Sequence, residues 1–300
     1  MATLPRFTWL LVLACCTALP AAEPVSTQPV RTTALVIKQG GTPEKPAVFD
    51  GQGMVIDLAI DVTDHAWRKT GDVWTSDGPL LGRTPIVTGQ LAGLFLEELP
   101  LSIPRDAALA KQHPEHDQQR CYVAPAELKT GQMGYADDGS LYFRWPAHKD
   151  PAKTCILLPP KEGTSCIAIV CSHVIVRNIT AIHAANDGFN IHGKWVGIRL
   201  ENVKAFSNAD EGISAHDDVE MQVDGAEIAF NGSSAGGVAD VDHSVTTYRH
   251  CMVHDNLAAA FKFGPARHVV ADTLIYNQSR DFSLDKNTQL ETARVEWRRE

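Results

Sequence analysis

The sequence predicts an all-β fold, a parallel β-helix whose coils are each about 24 residues long. Three observations predict it. First, Ile182, Phe206, Phe230, His254 and Tyr276 recur at intervals of 24, 24, 24 and 22 residues. Second, the flanking columns repeat too: small apolar before (Ala181, Ala205, Ala229, Val253, Ile275) and mostly polar after (His183, Ser207, Asn231, Asp255, Asn277). Third, the texture inside each repeat is β. Val174-Ile175-Val176, Ile198-Arg199-Leu200 and Val269-Val270 are short and β-branched, and Asn, Asp and Gly bound them. Two-helix repeats need longer periods, and a leucine-rich repeat needs more leucines than these units carry. Coils of this kind stack at roughly 4.8 Å, so residues one period apart become neighbours.

The elements follow in order. Residues 1–22 read as a signal peptide: Arg6, an apolar run from Thr8 to Leu19, then Pro20-Ala21-Ala22 before Glu23. The run is short for a membrane span, and no second one exists. The expectation is a secreted or periplasmic protein. Val12-Leu13-Ala14-Cys15 matches a lipoprotein box only in part, leaving a lipid anchor as the lesser alternative. Residues 23–34 are a Pro/Thr-rich linker, and residues 35–287 are a single β-helix domain. Within it, residues 35–62, with Gly40-Gly41-Thr42 and Gly51-Gln52-Gly53, read as the first coil. Residues 64–165 break the period and read as a β-rich excursion, with a hairpin from Lys129 to Trp145. Regular coils resume over 166–287. Residues 288–300 are charged and read as a cap or tail.

A formal charge of −9 argues against nucleic acid or an anionic membrane as partner. Five cysteines follow the leader: Cys121, Cys155, Cys166, Cys171 and Cys251. Pairing of Cys166 with Cys171, or of Cys121 with Cys155, is open; buried apolar thiols are the simpler reading.

The period also aligns polar residues. Asp187, Glu211, Ala235 and Ala259 form one column. Asn190, Ser214, Val238 and Lys262 form a second, and His192, His216, Asp240 and Gly264 a third. Gly188, Gly212 and Gly236 mark expected tight turns. The alignment brings Asp187, Asp210 and Glu211 onto adjacent coils, where several carboxylates can supply the oxygen ligands a hard cation wants. Lys262, between Phe261 and Phe263, points opposite to them in a strand and is a candidate base. His192 and His216, one coil apart, with Asp240, Asp242 and His243, suit acid–base work or sugar hydrogen bonding better than a transition-metal site.

Asn186-Asp187-Gly188-Phe189, Asn208-Ala209-Asp210-Glu211-Gly212-Ile213 and Ala260-Phe261-Lys262-Phe263-Gly264 with His268-Val269-Val270 resemble the motif series of right-handed parallel β-helix polysaccharide lyases, nearest to the family nine pectate lyases. The resemblance covers roughly residues 35–62 and 166–287. It implies a right-handed solenoid, an acidic, uronate-containing polysaccharide as partner, and β-elimination as chemistry. It implies Ca²⁺ held by Asp187, Asp210 and Glu211, with Lys262 as base. His216 and Asp240 are further catalytic candidates; Asn190, His192, Asp242 and His243 are candidates for substrate binding. The sequence departs from the pattern at Ser214, which stands where the last acid of the family motif belongs, and at Glu211, which is longer than the usual Asp. An extra coil separates the acids from Lys262. Two alternatives stay open. One is a glycoside hydrolase using a carboxylate pair, Asp210 with Asp240 or Asp217 with Asp242. The other is a non-catalytic carbohydrate-binding β-helix.

Overall fold

The computed structural model describes residues 29–80, 95–96, 99–101, 124–136, 140–145, 155–159, 164–232 and 236–298. The expected signal peptide, residues 23–28 of the linker and Cys121 lie outside the described residues.

The chain winds as a parallel β-solenoid. Leu35–Ile37, Ile167–Ile169, Phe189–Gly193, Ile213–Asp217, Gly236–Asp240, Ala259–Phe263 and Arg280–Leu284 stack in that order as one seven-stranded sheet. These strands are its first to seventh rungs. A second ladder begins with the short strand Val30–Arg31 and three long strands, Ala47–Asp57, Val174–Ile182 and Ile198–Phe206. Beyond them it divides. Glu220–Asp224, Val245–Arg249, Arg267–Ala271 and Gln289–Ala293 continue one half. Glu227–Ala229, Met252–His254, Leu274–Tyr276 and Glu296–Arg298 continue the other. The ladders therefore run on through 289–298, so this segment is a further set of rungs rather than a tail.

Strand alternation explains the core. Leu35, Ile167, Phe189, Ile213, Val238, Phe261 and Phe282 form one inward column. All but the first and last are fully buried, in a single apolar cluster that runs from Ile37 to Ile275. Each side chain packs on its counterpart one rung away, so the core is built by nearest neighbours along the stack.

The corners are equally repetitive. His183, Ser207, Phe230, Asp255 and Asn277 all adopt left-handed backbone, with φ between 48° and 59°. Asn and Asp tolerate that region best among residues with a Cβ. Just inside this corner lies an asparagine ladder. Asn208 Nδ2 donates to Asn231 Oδ1 at 2.9 Å, and Asn231 Nδ2 to Asn256 Oδ1 at 2.9 Å. The backbone N–H groups of Ala184, Asn208 and Asn231 donate to the Oδ1 atoms of Asn208, Asn231 and Asn256, each at 3.1 Å. These bonds pay for burying three amides.

The left-handed corner corrects the sequence alignment. Its spacings are 24, 23, 25 and 22, from His183 to Asn277. Phe206 pairs with Ala229, not Phe230, and Ala229 with His254. A one-residue slip of the opposite sense occurs on the seven-stranded sheet. Ser214 pairs with Ala239, and Ala239 with Lys262. The spacings are 25 and 23, so Ser214 and Lys262 do share a column, with Ala239 rather than Val238 between them.

The excursion is β-rich, as expected. Trp67–Thr70, Val73–Pro79, Ser140–Arg144 and Met133–Tyr135 form one four-stranded antiparallel sheet, which contains the predicted hairpin. Ile60–Asp61, Ile156–Leu158, Phe95–Leu96 and Leu99–Pro100 form another. A second apolar cluster, including Met133, Phe143, Trp145 and Ile156, holds this region together. Cys166, Cys171 and Cys251 are buried free thiols and Cys155 is an exposed one, so the Cys166–Cys171 bridge does not form.

Candidate acidic site on the seven-stranded sheet

The outward residues of the seven-stranded sheet are fixed by what points inward. One outward column reads Val36, Ala168, Asn190, Ser214, Ala239, Lys262, Ser283. His192 and His216 form the next, two residues along. Polar chemistry is concentrated from the third rung onward.

At the chain entry to the third and fourth rungs, Asp187, Asp210 and Glu211 converge. Each offers an oxygen within 4.8 Å of the others. Close rung packing makes this possible. A Cβ on Gly188 would come within 2.7 Å of the Gly212 carbonyl, and one on Gly212 within 2.7 Å of Ile228 Cγ2. Neither glycine has positive φ, so the two serve close approach rather than the tight turn expected of them; Gly236, at φ +130°, does need glycine.

Asp187 is only 2% exposed. Burial, with the charge of Asp210 next, pushes its carboxyl up to about 7. Hydrogen bonds with Glu211 and Asn190 work the other way. Asn186 Nδ2 donates to Asp187 Oδ2 at 3.0 Å, Asn190 Nδ2 makes a short bond to the same oxygen, and the Glu211 N–H reaches Oδ1 at 3.3 Å. Three carboxylates so close, two of them buried, repel one another unless a proton or a cation lies among them. The donor set is all oxygen and mainly carboxylate, which fits a hard divalent cation such as Ca²⁺.

His192 and His216 stack, with ring centroids 4.0 Å apart. His216 Nε2 bonds Ser214 Oγ at 2.9 Å, and its Nδ1 lies 3.7 Å from Asp242 Oδ2. Burial lowers the His216 pKa below its ordinary value, and His192 adds to this; Asp242, Asp217 and Asp210 oppose it. Asp242 also accepts the Asp217 N–H at 3.2 Å. His243 projects into solvent, 77% exposed, with Nδ1 3.6 Å from Asp218.

Lys262 is half-buried on the sixth rung, two rungs from Ser214 and on the same outward column. At strand spacing this is about 10 Å. The fifth rung contributes only the Ala239 methyl group between them.

Asp240 is elsewhere. It pairs with Ala215 and Phe263, so it belongs to the inward column Ile37, Ile169, Ile191, Ala215, Asp240, Phe263. It is 0% exposed and accepts the Tyr248 hydroxyl at 2.9 Å. Burial pushes its carboxyl up to about 7. The slip of one residue flips every side chain of the strand to the other face. Asp240 is thus removed from the outer face, and the pairing of Asp210 with Asp240 across a shared cleft goes with it. Asp217 and Asp242, by contrast, are neighbours in the structure. Ser214 gains a partner that the sequence reading overlooked. The signal was Ser-Ala-His in a strand, since residues two apart share a face.

No protein-family model and no curated protein matches the chain. Among solved structures, XylC in complex with xylose is similar over 88% of this chain and 58% of its own, with 12% identity and a TM-score of 0.49. A glycoside hydrolase is similar over 89% of this chain and 87% of its own, with 9% identity and a TM-score of 0.46. Pectate lyase Pel9A is similar over 39% of this chain and 32% of its own, with 12% identity and a TM-score of 0.36. This chain therefore spans about a third of that lyase and just over half of XylC.

Proposed function

We propose that the protein is a polysaccharide lyase that cleaves a uronate-containing polymer by β-elimination on the outer face of its seven-stranded sheet. The observation that carries this reading is the convergence of Asp187, Asp210 and Glu211, one of them buried with a raised pKa, on the face that also presents Lys262.

The proton beside a uronate carboxylate is weakly acidic, so its removal needs both charge stabilisation and a base. Ca²⁺ held by Asp187, Asp210 and Glu211 would neutralise the uronate carboxylate and the charge that builds on it in the transition state. Asn186 and Asn190 hold the Asp187 carboxylate toward the cluster. Lys262 takes the carbon-bound proton when its amine is neutral. Asn190, His192, Asp242 and His243 line the approach and are placed to hydrogen-bond sugar hydroxyls. A secreted or periplasmic location suits such a substrate.

The test is direct. Purified protein incubated with polygalacturonate, alginate or a glycosaminoglycan should release products with the near-ultraviolet absorbance of an unsaturated uronate, and a chelator should abolish the signal. New reducing ends without that absorbance would replace the lyase with a hydrolase, for which the neighbouring Asp217 and Asp242 are the remaining carboxylate pair.

A further inference from the structure

We infer that His216 is the proton donor to the departing sugar oxygen and that Ser214 is the residue that positions it. This rests on the lyase reading above and adds the second half of its proton chemistry.

An elimination needs two proton transfers. When the carbon–hydrogen bond breaks, its electron pair forms the new double bond, and the carbon–oxygen bond to the neighbouring sugar breaks. Lys262 receives the carbon-bound proton. The departing oxygen leaves with the bonding pair and must acquire a proton of its own. Lys262 stands at one end of a two-rung interval whose middle rung presents only Ala239. At the other end, two residues beyond Ser214 on the fourth rung, stands His216, whose lowered pKa makes its imidazolium the readier proton donor.

The surroundings of His216 suit a donor. One ring nitrogen, Nε2, is taken by Ser214 Oγ at 2.9 Å. The other, Nδ1, lies 3.7 Å from the Asp242 carboxylate. That is too long for a hydrogen bond, yet close enough for the charge to favour hydrogen on Nδ1 in the imidazolium. His216 gives up the Nδ1 proton, becomes neutral and regains a proton from water. Nε2 keeps its hydrogen in both states, so Ser214 Oγ accepts from it throughout and holds the neutral ring in the Nε2–H tautomer. The ring holds its orientation while Nδ1 loses and regains its proton, and stacking on His192 fixes its plane.

The order Ser214, His216, Asp242 also suggests a nucleophilic serine. Burial argues against it: Ser214 is 0% exposed, so no substrate carbonyl reaches its oxygen. A covered hydroxyl bonded to a half-exposed imidazole is a support. It occupies the position where the resembling lyases carry a third acid.

The experiment compares two substrates: polygalacturonate, and an oligouronate whose departing group is 4-nitrophenol, which leaves without needing a proton. His216→Ala should lose at least a hundredfold in kcat on the polymer and less than tenfold on the nitrophenyl substrate. Lys262→Ala should lose activity on both. Ser214→Ala should lower kcat on the polymer about tenfold with KM unchanged, and Ser214→Thr should restore part of the loss. Long-range ¹H–¹⁵N spectra supply a readout independent of turnover. The neutral ring of His216 should show one fixed tautomer in the natural protein and a mixture in Ser214→Ala. Equal losses of His216→Ala on both substrates, or an unchanged tautomer in Ser214→Ala, would overturn the inference. Natural protein that releases neither product would instead overturn the lyase reading, while the spectra still decide the role of Ser214.

Discussion

Two buried polar arrays run along this solenoid, and they differ in one respect. Asn208, Asn231 and Asn256 are buried at a corner, where Asn208 bonds to Asn231 and Asn231 to Asn256. Asp187, Asp210 and Glu211 are gathered on the outer face of the seven-stranded sheet, and their like charges oppose burial. The first array is neutral and closed on itself, so it fixes register. The second gathers like charges in a donor set of oxygens that fits a hard cation. Burial of polar groups alone therefore does not single out the acids here; the gathering of like charges does. Asp240 is an intermediate case, a single carboxyl inside the core whose Tyr248 partner supplies one hydrogen bond but no charge.

The largest expected effect tests the charged face. Lys262→Ala should reduce elimination about 10³-fold and leave the melting temperature within a degree or two, because a half-buried outward side chain contributes little packing. Comparable loss of stability and activity would make Lys262 structural.

Asp240 comes next. Its carboxyl is held near 7 in the folded chain against an ordinary value of 3.8. Between those values the folded state keeps a proton that the unfolded state has lost. Stability should therefore fall as pH rises from about 4 to about 7, then level off, by at most about 4 kcal/mol. Asp240→Asn should flatten that dependence and raise stability at pH 8, as denaturant titrations at several pH values would show. A parallel slope in both proteins would place the titration elsewhere.

Breaking the neutral ladder should cost about 3 kcal/mol. Asn231→Ala removes the acceptor of the Asn208 N–H and amide, and the donor to Asn256 and to the Ala205 carbonyl. Calcium should not rescue it. Asp187→Asn should do the reverse. Natural protein should gain about 2.7 kcal/mol when Ca²⁺ is present at a hundred times its dissociation constant, and the variant should gain almost nothing. A calcium-induced rise in melting temperature that survives in Asp187→Asn would move the cation elsewhere. The smallest effect is expected at the surface pair Arg267–Glu291, exposed on both sides at 3.1 Å. Arg267→Ala should change stability by less than about 0.5 kcal/mol.

Much of this was legible before the structure. Repetition of small, aromatic and polar residues is enough to name a solenoid, because each rung must match the next in volume and polarity. The acids were legible for the same reason. Asp187 and Glu211 sit one period apart within one regular stretch. The irregular excursion was legible only as an interruption, since its antiparallel pairings join residues as distant as Ile60 and Leu158 without any period to announce them. Ser214 was visible as a departure from a motif, but its bond to His216 required both side chains to be placed on one face.

By itself, then, the sequence determined the solenoid, its average rise and the identity of its polar columns, because a period survives averaging over many rungs. Only the tertiary structure decided the face on which each residue of the fifth rung lies. The coil before that rung is one residue long and the coil after it one residue short of the period. The two deviations cancel at Lys262, which keeps its predicted place. They do not cancel at Asp240, where a pleat of two residues turns a single-residue slip into the difference between the outer face and the core.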